Sequence, residues 1–396
     1  MKIFTLLLTL VFCSITFFSC TENKAGEVLS AAVPSLMDSI VSPVDIVETE
    51  ETARIDSFFK KLHQTRGFNG TVLISRHGKI IYKNALGYAN IKTKDPLTVS
   101  SSFQLASVSK QFTAMAIMML KERGSLKYDD DIQYYLPDFP YEHITIRELL
   151  CHRSGLPNYM YFCDQYLCNS DTFVSNAGVI SLMKQYRPAA YRRPNLRHQY
   201  SNTGYCILAA IIEKVSGIPY KNFIESHIFK RLKMENSFVC DFSENEQGRH
   251  KAIGYEVSGR RLKEAGTNYL DGVVGDKGIY STVEDLFRWD QALYTDKLIC
   301  SSTLEEAFTP ANRDLKQVNY GFGWRIYNSL AGDKIVYHKG WWHGFNACFT
   351  RDLKNKSSVI ILSNIVNGSF GNIKELDDIL KLQPPLTQDL PRAMPI

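Results

Sequence analysis

Three serine–lysine pairs in this chain have the spacing SxxK, which can place a hydroxyl nucleophile beside an amine base. The pairs begin at Ser57, Ser107 and Ser181. A serine hydroxyl attacks an acyl group only when a neighbouring group takes its proton, and a neutral lysine amine can do so. Because the spacing alone is common, the surrounding sequence must decide which pair has this role.

The pair at Ser107 stands directly before an apolar stretch, FTAMAIMML, which predicts a buried helix. The hydroxyl and the backbone N–H of Ser107 would then lie at a helix N-terminus, where unpaired N–H groups and the helix dipole stabilise a developing oxyanion. Lys110 shares that face, and burial near the positive helix end is expected to lower the pKa of its amine. Ser57 and Ser181 lie in patterns typical of surface helices, so we expect both to be structural.

Two further polar strings stand later in the chain. A Tyr-Ser-Asn string begins at Tyr200 and precedes a helical pattern, and a His-Lys-Gly string begins at His338 in a stretch typical of a strand. The sequence has no GxSxG elbow, Walker A loop or GxGxxG fingerprint, which argues against α/β-hydrolases, P-loop enzymes and dinucleotide-binding enzymes. It also has no HExxH, and His152 has no second ligand at metal spacing, so we expect neither a metal nor a cofactor.

With these strings in this order, the chain resembles the penicillin-binding protein and serine β-lactamase superfamily, in its class C-like branch. FQLASVSKQFTAMAIMML is similar to the active-site helix of that superfamily, and GDKGIYSTVEDLFRWDQAL to a segment of class C-like hydrolases. HRSGLP resembles the superfamily's HTSGLP loop, with Arg153 where threonine is usual, and His152 is expected to support the loop around Ser154. The resemblance runs from about Thr52 to Asn364.

The resemblance implies a catalytic set. Ser107 would be the acylated nucleophile, Lys110 its partner base, and Tyr200 the group that passes a proton to and from the leaving group. Which of Lys110 and Tyr200 is the general base stays open. Asn202 would either bind the acyl amide of the substrate or hold Lys110.

The resemblance also places the family's third motif, KTG or HxG, at His338 and Gly340. The backbone N–H groups of Ser107 and Trp341 would form the oxyanion hole, and Gly340 would let the substrate approach closely. His338 stands where the best-known β-lactamases have a lysine that attracts a substrate carboxylate. Because histidine is mostly neutral at pH 7, we expect esters, short peptides or amides to be turned over better than penicillins, and His338→Lys to favour carboxylate-bearing substrates.

The elements that position these residues divide into a sheet from both ends of the domain and a helical middle. TVLIS and KIIYKNALGYAN flank His77, which predicts a β-hairpin, and strand patterns return between about residues 321 and 365. Between about Ser107 and Val274 helical periods dominate and strand signals nearly vanish. Together with the resemblance, this predicts an α/β (α+β) fold of the β-lactamase/transpeptidase type, with an antiparallel sheet flanked by helices, a largely helical lobe and the active site in the cleft between them.

The N-terminus has the pattern of a signal peptide, because an uncharged stretch runs from Ile3 to Phe18, which is short for a spanning helix. Cys20 follows, so the segment resembles a bacterial lipoprotein signal with Cys20 as the lipidated residue. Plain cleavage and an uncleaved anchor remain alternatives. We expect an exported cell-envelope lipoprotein, facing the periplasm or the outside, whose parts are a signal at 1–19, a flexible tether at 20–50, a hydrolase domain at 51–385 and a tail at 386–396.

The composition excludes several classes of protein. With 44% hydrophobic and 22% charged residues the chain has material for a large core, and its net charge of +5 is scattered without a run of five like charges, which argues against a nucleic-acid partner. Of nine cysteines, seven remain after Cys13 and Cys20, so at least one is free. Cys163 and Cys168 are candidates for a disulfide. The cysteines expected to be buried are Cys151, Cys206 and Cys348.

Three classes of function fit these observations. The first is a serine hydrolase that acts on a peptide, amide or ester through an acyl-enzyme; the second is a non-catalytic peptidoglycan- or peptide-binding lipoprotein with the same fold; the third is a structural surface lipoprotein. The intact set of Ser107, Lys110 and Tyr200 favours catalysis, because a binding protein need not keep all three.

Overall fold

The described chain begins with a helix that is capped at both ends. The computed structural model describes residues 48–167, 172–240, 250–259, 261–311, 318–328 and 332–381. Thr49 caps helix α1, Glu50–Arg66, through a capping box with Thr52, and Gly67 ends it in the left-handed conformation, with φ 65°. The helix expected around Ser57 is confirmed, and it begins at the last residue of the predicted tether.

Several predictions lie outside the described residues: the signal peptide, the lipidated Cys20, the tether up to residue 47, and the tail at 386–396. Cys168 also lies outside, and Cys163 is a buried free cysteine. Three cysteines are buried, as predicted: Cys151, Cys206 and Cys348. None of the helices in the described part of the chain is long and apolar enough to span a membrane.

The predicted β-hairpin is confirmed. Strands β1, Gly70–Arg76, and β2, Lys79–Leu86, pair in antiparallel fashion. His77 and Gly78 join them with φ values of 50° and 71°, and two successive positive φ values are what a type I′ hairpin turn requires.

The strands after β2 are β3 (Tyr88–Asn90), β4 (Asp95–Pro96), β5 (Phe103–Gln104), β6 (Phe238–Val239), β7 (Tyr255–Ser258), β8 (Arg261–Glu264), β9 (Ile279–Ser281), β10 (Val318–Tyr320), β11 (Arg325–Asn328), β12 (Lys334–Trp342), β13 (Phe345–Asp352), β14 (Ser357–Ser363) and β15 (Ile365–Val366).

The main sheet has seven antiparallel strands from both ends of the domain, in the order β10-β11-β12-β13-β14-β1-β2. The other strands form three small sheets, with the orders β15-β7-β8, β3-β4 and β5-β9-β6.

Helices fill the middle of the chain, as predicted. Those after α1 are α2 (Lys110–Glu122), α3 (Ile146–Leu150), α4 (Tyr159–Leu167), α5 (Asn176–Tyr186), α6 (Asn202–Ser216), α7 (Tyr220–Ile224), α8 (Lys230–Leu232), α9 (Val283–Ala292), α10 (Ser301–Ala307) and α11 (Lys374–Leu380). A π-helix, Glu225–Phe229, joins α7 to α8. Turns of 3-10 helix lie at Ala106–Ser109, Ile132–Tyr134, Tyr269–Gly272 and Ser369–Asn372.

The prediction that strands nearly vanish from the middle was wrong in detail, since β6, β7 and β8 lie there. These strands have two to four residues each. A two-residue strand has no alternation to detect, and every residue of β8 is exposed. β7 and β8 pair with each other, whereas β6 pairs with β9 and β7 also pairs with β15, which are distant in the sequence.

The main sheet separates two hydrophobic cores, because successive side chains of a strand point to opposite faces. In β1, Val72 and Ile74 pack with α1 and α11 in the smaller core, whereas Leu73 belongs to the larger core with the helical lobe. The helical lobe therefore lies on one face of the sheet only, and the boundary between the two is where the predicted site residues meet.

Strand β12 forms that boundary. Its pairing with β11 ends at Tyr337, while its pairing with β13 continues to Trp342. The 3-10 turn Ala106–Ser109 packs against the remaining edge of β12: a Cβ atom on Gly340 would lie 2.1 Å from the carbonyl oxygen of Leu105. Only glycine allows this approach, which brings the first and third predicted motifs together.

Candidate active site

Ser107 lies in the 3-10 turn that runs directly into α2, with Lys110 as the first residue of the α-helix. The sequence predicted Ser107 at the start of the helix, and the structure places it one tight turn earlier. Ala106, just before it, has a φ of 48°, a left-handed conformation that costs energy for a residue with a Cβ and is common at functional sites. The Ser107 side chain stays partly exposed, while the next three residues are buried.

Lys110 is fully buried, at 0% exposed, and its amine has three partners. Nζ lies 3.0 Å from Oγ of Ser107, 2.9 Å from Oδ1 of Asn202 and 2.9 Å from the backbone oxygen of Asp276. The last two oxygens can only accept hydrogen bonds. The amine donates to all three oxygens when it is protonated. Once it has lost a proton, its two N–H groups can stay on Asn202 and Asp276 while its lone pair faces the hydroxyl of Ser107.

Asn202 is the first residue of α6, and the structure favours one of its two predicted roles, because its side-chain oxygen holds Lys110. Its amide nitrogen lies 2.7 Å from Sδ of Met160 in α4. The sequence carried no signal for Met160, since a methionine at helical spacing is typical of any core.

Tyr200 lies beside Lys110, as predicted, with 5.1 Å between Nζ of Lys110 and the centre of the phenol ring. The hydroxyl of Tyr200 is buried and has no hydrogen-bond partner within the described part of the chain. A phenol that is both unpartnered and next to the nucleophile's base can exchange a proton with a bound substrate.

His152 contacts Tyr200 directly, which the sequence analysis did not predict. Its ring centre is 4.1 Å from that of Tyr200, and its Nδ1 accepts the backbone N–H of Ser201 at 3.3 Å. Burial lowers the pKa of His152 well below its usual range, with further lowering by His198 and Lys110, so the ring is neutral. His152 therefore orients Tyr200, in addition to shaping its own loop.

His338 is buried, at 1% exposed, and both of its ring nitrogens have protein partners. Nδ1 donates to the backbone oxygen of Lys339 at 2.8 Å, so Nε2 accepts the hydroxyl of Tyr320 at 2.9 Å. Burial, followed by Arg325 and Lys110, lowers the pKa of His338 well below its usual range. The expectation that it is neutral is supported, and the ring supports the edge strand through Tyr320, while its predicted contact with substrate stays a prediction. A His338→Lys change would bury a second lysine near Lys110, so it should lower stability as well as change specificity.

Arg325 places a guanidinium, which is always charged, beside Tyr200, and the sequence analysis missed this residue. Arg325 pairs with Tyr337 at the end of β11, and its guanidinium carbon is 6.0 Å from the ring centre of Tyr200. An arginine at the end of a strand pattern carries no signal of its own, and only the sheet register places it here.

Gly340 and Trp341 lie where the sequence predicted them, on the edge of β12 beside the 3-10 turn Ala106–Ser109, which we call the nucleophile turn because Ser107 is the predicted nucleophile. A Cβ on Gly340 would lie 3.0 Å from the backbone nitrogen of Ser107, and Trp341 follows and is 45% exposed. Gly340 therefore permits a close approach by the chain's own backbone, and the approach of substrate there stays a prediction.

The other two SxxK strings are structural, as predicted. Ser57 and Ser181 are exposed on α1 and α5. Lys60 pairs with Asp56 on its own helix at 2.7 Å, and Nζ of Lys184 donates to a backbone oxygen. Across the described residues no group of three or more His, Cys, Asp or Glu side chains could hold a metal ion.

Comparison with known proteins identifies the family. The family model described as Beta-lactamase matches residues 55–382. The chain belongs to the beta-lactamase family. A penicillin-binding protein of Bacillus subtilis (strain 168) is 39% identical over 325 residues, which cover 78% of this chain and 71% of that protein. A D-aminopeptidase of Brucella anthropi is 25% identical over 325 residues, which cover 81% of this chain and 60% of that protein.

The solved structures agree with this membership. The structure of the octameric penicillin-binding protein homologue from Pyrococcus abyssi matches with a TM-score of 0.72 and 27% identity, and the match covers 86% of this chain and 79% of that one. The predicted fold and superfamily are confirmed. The chain is a beta-lactamase-related serine hydrolase.

In this beta-lactamase-family hydrolase a buried ionic network lies behind Lys110. Asp276, whose backbone oxygen contacts Lys110, accepts the hydroxyl of Tyr159 on its carboxylate at 2.9 Å. Nζ of Lys277 donates to that same tyrosine oxygen at 2.9 Å and to the backbone oxygens of Leu270 and Val273 at 2.8 and 2.9 Å. The side chains of Asp276 and Lys277 are 2% and 4% exposed, so neither charge is solvated.

Replacing Lys277 by methionine should destabilise the protein by about 3–5 kcal/mol, because it leaves the Asp276 carboxylate buried without its cation. Urea unfolding measures the change. Lys334→Met is the matched control, since it removes a lysine from a half-exposed pair with Glu305 and should cost under about 1 kcal/mol. Equal losses from the two variants would contradict a structural role for the network.

Proposed function

We propose that this chain is a class C-like serine hydrolase that cleaves a peptide, amide or ester through an acyl-enzyme on Ser107. The triple contact of the Lys110 amine carries the proposal, because it holds a buried amine 3.0 Å from a partly exposed hydroxyl, where the amine in its neutral form can take the proton of that hydroxyl. The name of the relative D-aminopeptidase supports amide or peptide hydrolysis as the reaction class.

In acylation, the neutral amine of Lys110 takes the proton from Oγ of Ser107 as that oxygen bonds to the carbonyl carbon of the substrate. The carbonyl oxygen becomes an oxyanion, for which the backbone N–H groups of Ser107 and Trp341 are the donors. Lys110 acts as the base in this step, since its amine contacts Ser107 and the hydroxyl of Tyr200 has no such contact.

When the tetrahedral intermediate collapses, the bond to the leaving group breaks and the leaving nitrogen or oxygen takes a proton. Tyr200 donates that proton from its unpartnered hydroxyl and regains one from Lys110, whose Nζ is 5.1 Å from the ring centre. Water then attacks the acyl carbon by the reverse path, which releases the acid and restores Ser107.

Arg325 is a candidate partner for a charged group of the substrate. A carboxylate on the substrate near Tyr200 would lie beside the guanidinium of Arg325. The expectation drawn from a neutral His338, that esters, short peptides or amides are turned over better than penicillins, stays a prediction.

Ser107→Ala should abolish turnover of an activated ester and covalent labelling by a fluorophosphonate, because the oxygen that carries the acyl group is removed. The folded state should survive, since the Ser107 side chain is partly exposed. Intact-protein mass spectrometry and initial rates measure the two effects.

Ser57→Ala and Ser181→Ala are the controls, and both should label and turn over ester like the unmodified protein, because each is an exposed helix residue. Labelling that persists in Ser107→Ala would contradict the assignment. An unmodified protein that binds peptides but neither labels nor turns over any ester would favour the alternative of a non-catalytic peptide-binding lipoprotein.

For the location we propose an exported lipoprotein whose lipid is on Cys20, on the strength of the uncharged stretch from Ile3 to Phe18 before that cysteine. Cys20→Ala should move the protein from the membrane fraction to the soluble fraction, or leave an uncleaved precursor, because the acyl chains supply the membrane affinity. Fractionation and N-terminal mass spectrometry check this. A mature N-terminus beyond residue 20 without lipid would refute it.

A further inference from the structure

An arginine-rich segment leads directly into the candidate active site. From residue 172 to residue 212 the chain has no Asp or Glu, and its basic residues there are Lys184, Arg187, Arg192, Arg193 and Arg197. We call residues 187–197 the arginine rim. Arg187, Arg193 and Arg197 are exposed, and Arg192 is half-buried. None of these four arginines forms a salt bridge with a carboxylate of the described residues.

The rim is held against the loop that carries His152. The backbone N–H groups of Tyr191 and Arg192 donate to the oxygen of Gly155 at 2.9 and 3.3 Å. Gly155, with φ +70°, is required for this contact, because a Cβ there would lie 2.3 Å from the oxygen of Arg192. The rim is thus fixed in place by backbone contacts, which do not use its guanidinium groups.

Arg153 explains a departure from the superfamily's loop motif, in which threonine is usual. Its guanidinium donates to the side-chain oxygen of Asn195 at 2.7 Å and to the backbone oxygen of the same residue at 2.6 Å. The backbone N–H of Asn195 donates in turn to the backbone oxygen of Arg153 at 2.8 Å. The hydrogen bonds between Arg153 and Asn195 therefore hold the HRSGLP loop and the arginine rim together.

The rim ends on the leaving-group side of the site. The N–H of Gln199 donates to the oxygen of His152 at 2.7 Å, and the ring of His152 packs 4.1 Å from that of Tyr200. Tyr200 follows the rim in the chain and is the group that would protonate the leaving group. Burial, followed by Arg325 and Arg153, lowers the pKa of His198 to about 4, which is consistent with a positive potential here.

We propose that the arginine rim binds carboxylate groups of an acidic peptide on the leaving-group side of the scissile bond, so that the preferred substrate is a peptide with acidic residues beyond that bond. The inference rests on the proposed function, since it takes Tyr200 as the leaving-group side. Guanidinium groups bind carboxylates through paired N–H donors, and exposed Tyr186, Tyr191 and Leu196 beside them offer apolar area for the rest of a peptide.

The test compares an acidic peptide, Gly-Glu-Glu-Glu, with its uncharged counterpart, Gly-Gln-Gln-Gln. Each is labelled with a fluorophore, and its affinity for the Ser107→Ala protein is measured by fluorescence anisotropy, which needs no turnover. We expect the acidic peptide to bind at least about tenfold more tightly, and that preference to fall as the salt concentration rises. Arg193→Gln combined with Arg197→Gln should remove the preference.

Arg54→Gln combined with Arg66→Gln is the matched control. It removes the same charge from exposed positions on α1, which packs against the opposite face of the sheet, and the peptide preference should stay. Equal affinity for the two peptides, or equal loss of the preference in both double variants, would overturn the proposal.

Two further readouts separate the alternatives. If anionic lipid vesicles bind the protein through the rim arginines and neither peptide is preferred, the rim is a membrane-contacting surface and the proposal fails. If the unmodified protein turns over no ester while the acidic peptide still binds through the rim, the proposed function fails and the recognition surface stands. Thermal unfolding of each double variant checks that a lost peptide preference does not come from misfolding, because both variants should unfold at about the same temperature as the Ser107→Ala protein.

Discussion

A lysine amine without any exposed surface is the constraint on which the site depends. A buried amine that lost all of its partners would cost several kcal/mol, so the three oxygens around Lys110 together determine where it lies. Each comes from a different part of the chain: the nucleophile turn, the start of α6 and the segment before β9. Lys110 therefore brings Ser107, Asn202 and Asp276 to one point.

The same requirement explains which parts of the site were predictable from the sequence. Ser107, Lys110 and Tyr200 stand in short strings whose order resembles a known superfamily, and the helices behind them have clear apolar periods. The third oxygen of Lys110 belongs to a backbone carbonyl, which any residue type can supply, so no pattern could name Asp276. Arg325 was missed for a related reason, since only the antiparallel register with Tyr337 brings it to the site.

His338 differs from Arg325, because the sequence located the residue but not the contacts that its imidazole makes. The sequence gives the position of the third motif, but the direction of the imidazole depends on Tyr320, which lies on a strand of three residues. Short strands such as β10 show too little alternation of apolar and polar residues to be predicted from the sequence. The positions of their side chains therefore cannot be predicted either. Burial lowers the pKa of both His152 and His338 well below its usual range, so neither imidazole supplies a positive charge, whereas the guanidinium of Arg325 beside Tyr200 does.

The central claim is that Ser107 carries the acyl group in a pocket whose oxyanion donors are backbone N–H groups on the nucleophile turn and the edge of β12. A crystal structure of the protein after reaction with a fluorophosphonate tests it most directly. The account predicts phosphorus bonded to Oγ of Ser107, with the phosphonyl oxygen at about 2.7–3.1 Å from the backbone nitrogens of Ser107 and Trp341. An adduct on another residue, or a phosphonyl oxygen that points away from Trp341, would contradict it.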